Sequence, residues 1–410
     1  MANVLGFVAE YNPFHNGHLY HLNKSKKDTN SIYSIAVISG NFTQRGSTSL
    51  VDKWEKAEMA ILNGVDLVIE LPVLYATSSA ENFADGAIKL LDSLKIVDYL
   101  SFGCETPNLQ VLEHLADILF YEPKEYKALL SIELDKGLSF PKARENALMM
   151  YLNDQKNVKN IINAPNNILA IEYLKALKRN NSKIQPYAIG RFESDYNSTK
   201  ITGNIASSTA IRNIIKNNGF NFLPKLLPQQ TMAILAKNLK SGHVVPDISA
   251  LEREIILTLR KMTLNEIKDL PDVSEGLEYA IKDAANSCNS AYDFLNIIKS
   301  KRYTTTRIQR IMIYALLGIT KKDMEMSKKT NPYIRVLGFN EKGKYLLSEI
   351  SRANPKLNIV TSVKKFIDSN KNRNLSQMLS KDIWATNAYT IAFDDDSCGN
   401  LDFTHKLIIE

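Results

Sequence analysis

The chain has 410 residues, 44% of them apolar and 23% charged, which is enough for two or three domains and too ordinary for a disordered, collagen-like or coiled-coil protein. No apolar run approaches the roughly 18–20 residues of a membrane span, and the stretch MANVLGFVAEYNPFH lacks the basic start of a signal peptide. The net charge is +7, yet residues 1–200 carry 21 basic and 23 acidic side chains and residues 201–410 carry 30 and 21, so a polyanionic partner is expected at the second half.

In chain order, apolar runs at 4–9, 32–39, 66–71 and 99–102 each end in a polar or glycine-containing turn or at a proline. Runs of this kind suit strands buried on both faces. Helical patterns fall between them at about 16–26, 52–63 and 78–94. The alternation predicts an α/β, Rossmann-like, doubly wound parallel sheet, whose ligands bind where strands end and helices begin. Residues 107–180 read mostly as helix, with an amphipathic stretch at 166–179 behind Pro165. A short strand is expected at 185–189, and a helix opens within 205–215.

From about 218 the texture changes. Helices are expected at 228–240, 247–262, 273–287, 289–300, 303–318 and 343–352, and short strands at 333–337 and 357–361. The expected organisation is a Rossmann-like catalytic domain over 1–217 and a mainly helical, basic domain over 218–410, divided in the stretch NNGFNFLP. Cys104, Cys288 and Cys398 are far apart and odd in number. They form no disulfide framework or metal spacing and fit a reducing cytoplasm. Asp394, Asp395 and Asp396 are adjacent, so their side chains diverge and suit a solvated turn better than a metal site.

The main chemical signal is His15-Asn16-Gly17-His18, placed after the first strand and opening a helix. The spacing aims both imidazoles at one ligand. Gly17 lets the backbone approach it, and the helix start adds unpaired N–H groups and partial positive charge. A phosphate fits such a cradle. Zinc on His15, His18 and His21 is a weaker reading, because i, i+3, i+6 spacing drifts around the helix and no acidic or Cys ligand stands nearby. A second cluster, Ser207-Ser208-Thr209 with Arg212, reads as either a capped helix or a second anion cradle. Two cradles some 190 residues apart suggest one long phosphate chain held at both ends.

This pairing resembles the HIGH-motif nucleotidyltransferase superfamily. The segments GFVAEYNPFHNGHL, GNFTQRG, ELP, FGCE, PNNIL and KRYT narrow the resemblance to the tRNA(Met) cytidine acetate ligase family, over nearly the whole chain. It implies that ATP and acetate form acetyl-adenylate, and that the acetyl group passes to N4 of the wobble cytidine of elongator tRNA(Met), giving N4-acetylcytidine. Carried over residue by residue, His15 and His18 are catalytic. The ATP contacts are Val8, Ala9, Glu10, Tyr11, Asn12, Pro13, Phe14, His15, Asn16, Gly17, His18, Leu19, Tyr20, His21, Gly103, Asn167, Arg191, Ser207, Ser208 and Arg212. The choice between Asn166 and Asn167 is open. Mg²⁺ is expected to arrive with ATP, and no protein-held metal, membrane or protein partner is expected.

Other residues carry weaker expectations. Arg45 and Lys53 flank the second strand end and suit pyrophosphate or tRNA as well as ordinary surface charge. Cys104 reads better as a small buried residue than as a thioester nucleophile. Between Lys299 and Arg373 stand 18 basic and 5 acidic residues. Within that stretch Lys301, Arg302, Arg307 and Arg310 are expected on a helix face tracking tRNA phosphates, with Tyr303 free to stack on a base. Two rival functions remain: a small-molecule adenylyltransferase of the pantetheine-phosphate or nicotinamide-mononucleotide type, and a nucleotide-sensing RNA-binding protein without chemistry. The large basic second half disfavours the first, and the intact cradles disfavour the second.

Overall fold

The computed structural model describes residues 2–191, 204–218, 223–274, 276–299, 303–395 and 399–410. The described residues build one eight-stranded sheet in the order β5-β4-β1-β2-β3-β6-β7, with β8 paired to β6. The strands are β1 (Asn3–Ala9), β2 (Ser31–Ser39), β3 (Leu67–Leu71), β4 (Tyr99–Cys104), β5 (Gln185–Gly190), β6 (Ile334–Phe339), β7 (Ile359–Val360) and β8 (Ile408–Ile409). Neighbouring strands run parallel except β3 and β6, which are antiparallel. The helices that frame or brace the sheet include α1 (Asn16–Asp28), α2 (Lys53–Leu62), α3 (Pro165–Arg179), α4 (Ser208–Asn218), α5 (Thr305–Leu317) and α6 (Arg373–Thr390).

The central strands divide their side chains between two buried faces. Val4, Ile35, Val37, Leu67 and Ile69 join one cluster, and Leu5, Phe7, Ala36, Ile38 and Val68 join the other. With both faces covered, most positions are apolar, so these strands read as near-continuous runs. Helices α1, α2 and α4 cover one face through Leu22, Trp54, Ala57 and Ile211. Helix α3 and the helix Ala80–Ser93 cover the other through Ile171, Leu174, Phe83, Ala87 and Ile88, and α5 and α6 join the same core through Ile311, Met312, Leu375 and Tyr389. The chain lays β2 and β3 on one side of β1, then returns to lay β4 and β5 on the other. A crevice opens at that reversal, at the carboxyl ends of β1 and β4.

The sheet and core take in residues from both halves of the chain. Strands β6, β7 and β8 come from the second half, and buried hydrogen bonds join the halves. The Val73 N–H donates to Asp382 Oδ1 (2.7 Å), the Tyr314 hydroxyl to Thr77 O (2.8 Å) and the Tyr389 hydroxyl to Ser49 O (3.0 Å). Helix α6 is not marked by apolar periodicity because Asp382, Thr386 and Thr390 lie on its buried side. The 247–262 pattern is a short 3-10 turn followed by a helix over Glu252–Lys261.

Lys53 departs from its expected role: it is fully buried and does not reach the crevice. Its ammonium donates to both oxygens of Glu70 (3.1 and 3.0 Å) and to Asp402 (2.8 Å). Arg335 joins them, with Nε 3.3 Å from Glu70 and Nη2 2.6 Å from Asp402. Two cations and two carboxylates thus make a neutral buried cluster tying α2, β3, β6 and the segment Leu401–Thr404. Removing one partner strands the others in low dielectric. Lys53→Met is therefore expected to lower the unfolding free energy by about 3–5 kcal/mol, measured by urea denaturation; an unchanged midpoint would refute the cluster's structural role.

Candidate active site

The loop from β1 to α1 turns both motif histidines into one cleft. His15 is the N-cap of α1, and its Nδ1 accepts from the Gly17 N–H at 3.1 Å. His18 Nδ1 accepts from the His15 N–H at 3.2 Å. This is a capping box built from two imidazoles. Because each Nδ1 accepts, each proton sits on Nε2, so both neutral rings carry one N–H donor. The rings stack with centroids 3.7 Å apart and line the cleft. A Cβ at Gly17 would lie 2.9 Å from the His15 ring, so glycine here makes room for the cap itself.

Burial lowers the His15 pKa to about 3, with Arg191 and Arg212 adding to the effect. Burial, then His15, Arg191 and His21, hold His18 well below its ordinary value. Burial and Arg191 lower His21 to about 4. His21 Nε2 lies 2.8 Å from Ser101 Oγ. Near neutral pH the imidazoles therefore supply hydrogen bonds, and the arginines supply charge.

Two further walls complete the cleft. On the β4–β5 side stand Gly103, Asn166 and Arg191. Arg191 Nη1 donates to Asn166 Oδ1 at 3.3 Å, and a Cβ at Gly103 would meet Arg191 Cγ at 3.4 Å. Ser207 Oγ accepts from the Ala210 N–H at 3.1 Å, capping α4. Ser207, Ser208, Thr209 and Arg212 line the cleft beside the histidines. Arg212 Nη1 donates to Asn12 O at 2.9 Å. Asn16 Nδ2 donates to Asn204 O and Lys225 O, both at 3.0 Å. These bonds hold the α1 and α4 termini together, so segments some 190 residues apart form one anion-binding surface.

The family model described as HIGH Nucleotidyl Transferase matches residues 2–401. The tRNA(Met) cytidine acetate ligase of Thermoanaerobacter sp. (strain X514) is 47% identical over 406 residues, 99% of each chain. The ligase of the same name from Clostridium kluyveri is 43% identical over 408 residues, covering 96% of this chain and 97% of that one. The crystal structure of apo Thermotoga maritima TmcAL aligns with a TM-score of 0.95 at 35% identity over 99% of each chain. The structure of that protein bound with alpha-thio ATP aligns with a TM-score of 0.92. The chain belongs to the tRNA(Met) cytidine acetate ligase family of HIGH nucleotidyl transferases.

The expected ATP contacts divide by position. Val8, Ala9, Glu10, Tyr11, His15, Gly17, His18, Tyr20, His21, Gly103, Arg191, Ser207, Ser208 and Arg212 line the cleft. Asn12, Pro13, Phe14, Asn16, Leu19 and Asn167 do not. Asn12 Oδ1 accepts from the Leu50 N–H (2.7 Å), and Phe14 is core. Asn167 is fully buried: its Oδ1 accepts from the N–H groups of Glu105 and Thr106, each at 3.0 Å. Asn166 is therefore the asparagine that faces the cleft.

Cys104 is buried and its thiol is pushed up to about 12 by burial and Glu105, against the pull of Arg191, which suits packing and not nucleophilic attack. Lys301 and Arg302 lie outside the described residues. Arg307 and Arg310 do not form an open face. Arg307 Nε and Nη2 donate to Asp272 O (2.8 and 2.7 Å), and Arg310 Nε and Nη2 donate to the Asp272 carboxylate (2.9 and 2.7 Å).

Arg45, expected to suit pyrophosphate or tRNA as well as ordinary surface charge, lines the cleft, and several other lining residues carried no chemical signal in sequence: Thr43, Gln44 and Ser47 come from the same turn after β2, and Phe83, Phe102, Leu169 and Tyr173 form an apolar part of the wall. The turn sits at a strand end, where a doubly wound fold places ligands, and that position, with the GNFTQRG resemblance, was the signal for its neutral polar residues. The aromatics lie on apolar faces of helices and strands and look like core residues.

The histidine shifts fix a pH dependence. Unfolded imidazoles titrate near 6.5, whereas His15 and His21 in the fold titrate near 3 and 4. The unfolded chain thus binds more protons between these limits. Stability is full above about pH 6.5 and falls as the pH drops, by about 2 kcal/mol per imidazole at pH 5. Urea unfolding at pH 7 and pH 5 is expected to show this loss, and His21→Gln to shrink it; a pH-independent midpoint would contradict buried neutral histidines.

Proposed function

We propose that the chain uses ATP to activate acetate as acetyl-adenylate and transfers the acetyl group to N4 of the wobble cytidine of elongator tRNA(Met). The observation that carries this reading is the convergence of the two-histidine helix start and the Ser207–Arg212 helix start on one cleft, in a chain alignable end to end with enzymes named for that activity. His15 and His18 are the catalytic pair, and Val8, Ala9, Tyr11, Gly17, Tyr20 and His21 of the 8–21 loop, with Gly103, Asn166, Arg191, Ser207, Ser208 and Arg212, hold the nucleotide.

The chemistry asks for little beyond placement and charge. Acetate oxygen attacks the α-phosphorus in line, and pyrophosphate leaves. The two Nε2–H donors are fixed before negative charge builds up, so they need no reorganisation as it develops. Arg191 and Arg212 balance that charge. Mg²⁺ belongs to the substrate as Mg-ATP, spreading charge over the departing pyrophosphate. Acetyl-adenylate then presents a carbonyl with a good leaving group to a weakly nucleophilic amine. The basic segment 299–310, including Lys301 and Arg302, is the proposed tRNA-facing stretch, and the activity is placed in the cytoplasm. Within the segment, Arg307 and Arg310 support the surface by fixing the start of α5.

The test is an assay with ¹⁴C-acetate, ATP and total tRNA beside a His18→Ala control, with nucleoside analysis of the product. The expected result is label in N4-acetylcytidine that the control loses, about 100-fold or more, as when a preorganised donor is removed. No label with either tRNA or adenylate, in protein that binds ATP, would overturn the acetate assignment and favour a small-molecule adenylyltransferase. Transfer should also weaken steeply with added salt if tRNA phosphates are bound.

A further inference from the structure

The acceptor amine needs a proton acceptor, and most cleft groups are unable to serve. Both motif histidines have their Nδ1 lone pairs committed to backbone N–H groups and their Nε2 atoms protonated. Tyr11 and Tyr173 line the cleft as phenols whose pKa values burial raises further, so they stay protonated. Among the described residues, Glu10 is the one carboxylate on the cleft wall. Its Oε1 accepts from the Gln44 N–H at 2.8 Å. No described residue hydrogen-bonds to its Oε2.

The position of Glu10 points to the same role. The nucleotide-side groups Gly103, Asn166 and Arg191 stand on the β4–β5 side of β1, whereas Gln44 stands on the β2 side. The turn that carries Gln44 rests on α5. Gly46 has φ +72°, and a Cβ there would lie 2.4 Å from Arg310 N and from Gln309 C. That close approach, possible for glycine, sets the turn against the helix that ends the basic segment 299–310. RNA seated on that segment would meet the cleft from the Glu10–Gln44 side.

We propose that the Glu10–Gln44 wall is the acceptor-base subsite, with Glu10 Oε2 accepting the N4–H of the incoming cytosine and taking its proton during transfer. The proposal rests on the acetyl-transfer reading above. A carboxylate is the complement of the cytosine amine. The N4 electron pair attacks the acetyl carbonyl carbon and forms the N4–C bond. The C–O bond to the adenylate phosphate breaks, and AMP leaves with that electron pair. The proton released from N4 moves to Glu10 and then to solvent. Glu10 thereby acts on the second half-reaction, as a general base of the ordinary kind.

The two half-reactions separate this role from nucleotide binding. Acetate-dependent exchange of labelled pyrophosphate into ATP reads activation, and single-turnover acetylation of tRNA(Met) reads transfer. In Glu10→Gln, which keeps an oxygen for the Gln44 N–H, transfer is expected to fall about 100-fold more than exchange. Proportional loss of both, or retention of both, would overturn the assignment. A second measurement uses the unaltered enzyme with tRNA carrying 2-pyrimidinone, which lacks the N4 amine, at the wobble position. Its affinity is expected to be about tenfold weaker than that of the cytidine form, the value of a hydrogen bond to a charged group; equal affinity would count against the wall. Unaltered enzyme that shows no acetate-dependent exchange would instead sink the underlying acetyl-transfer reading, a separate result.

Discussion

One buried ammonium holds the mouth of the sheet open. Where β1 and β2 end, their loops part, and the carbonyls at the parting have no strand to bond to. Lys56 collects them: its Nζ donates to Glu10 O (3.2 Å), Ser39 O (2.6 Å), Gly40 O (2.6 Å) and Ser49 Oγ (2.9 Å). Four acceptors for three protons means one bond is shared. Burial lowers its pKa to about 7, and Glu10, Glu70 and Asp52 work against that shift. Unpaired buried carbonyls are costly, so the loops are fixed as long as Lys56 is present. The loop of His15 and the turn of Gln44 both leave from this point.

The cleft divides its work between neutral donors and permanent cations. Three protonated imidazoles beside Arg191 and Arg212 would repel one another in a buried site, and burial removes that problem by keeping the rings neutral. The capping bonds then settle which nitrogen carries each proton. A donor direction is thus set by helix geometry, without a further side chain to orient the ring. Preorganised donors of this kind favour the charge distribution of the transition state, and the guanidinium groups supply the positive charge beside them.

Much of this was legible in the sequence because local chemistry and topology agreed. The first four strands are apolar at nearly every position, and the motif follows β1 as the α/β rule requires. Lys53 was misread as a surface charge, because its partners Glu70, Arg335 and Asp402 are distant in sequence and no local pattern announces a buried ion cluster. Arg307 and Arg310 looked like a phosphate-tracking face for the same reason: Asp272, which engages both, lies outside the helix. Asn166 and Asn167 are adjacent on one turn, and the difference between a cleft residue and a structural one is a rotation of about 100° around the helix. The name of the acid substrate came from resemblance, since no residue type spells acetate.

The second half belongs to the sheet that frames the cleft, whatever else it carries. It supplies β6, which pairs antiparallel with β3, and with it the arginine that completes the buried charge cluster. It also supplies Tyr389, whose hydroxyl bonds to Ser49 O, next to the hydroxyl that Lys56 grips. The residues that bound the cleft are therefore braced from behind by the part of the chain expected to carry RNA. An enzyme that only joined small molecules on this fold would need no such bracing. One that must bring a loop of a large nucleic acid to a reactive anhydride gains from having the helix proposed to dock it and the cleft turn in fixed contact, because a mixed anhydride left waiting for a poorly placed amine is open to hydrolysis. The contact at Gly46 provides that fixed relation: the backbone of α5 is so near that any side chain there would separate the two.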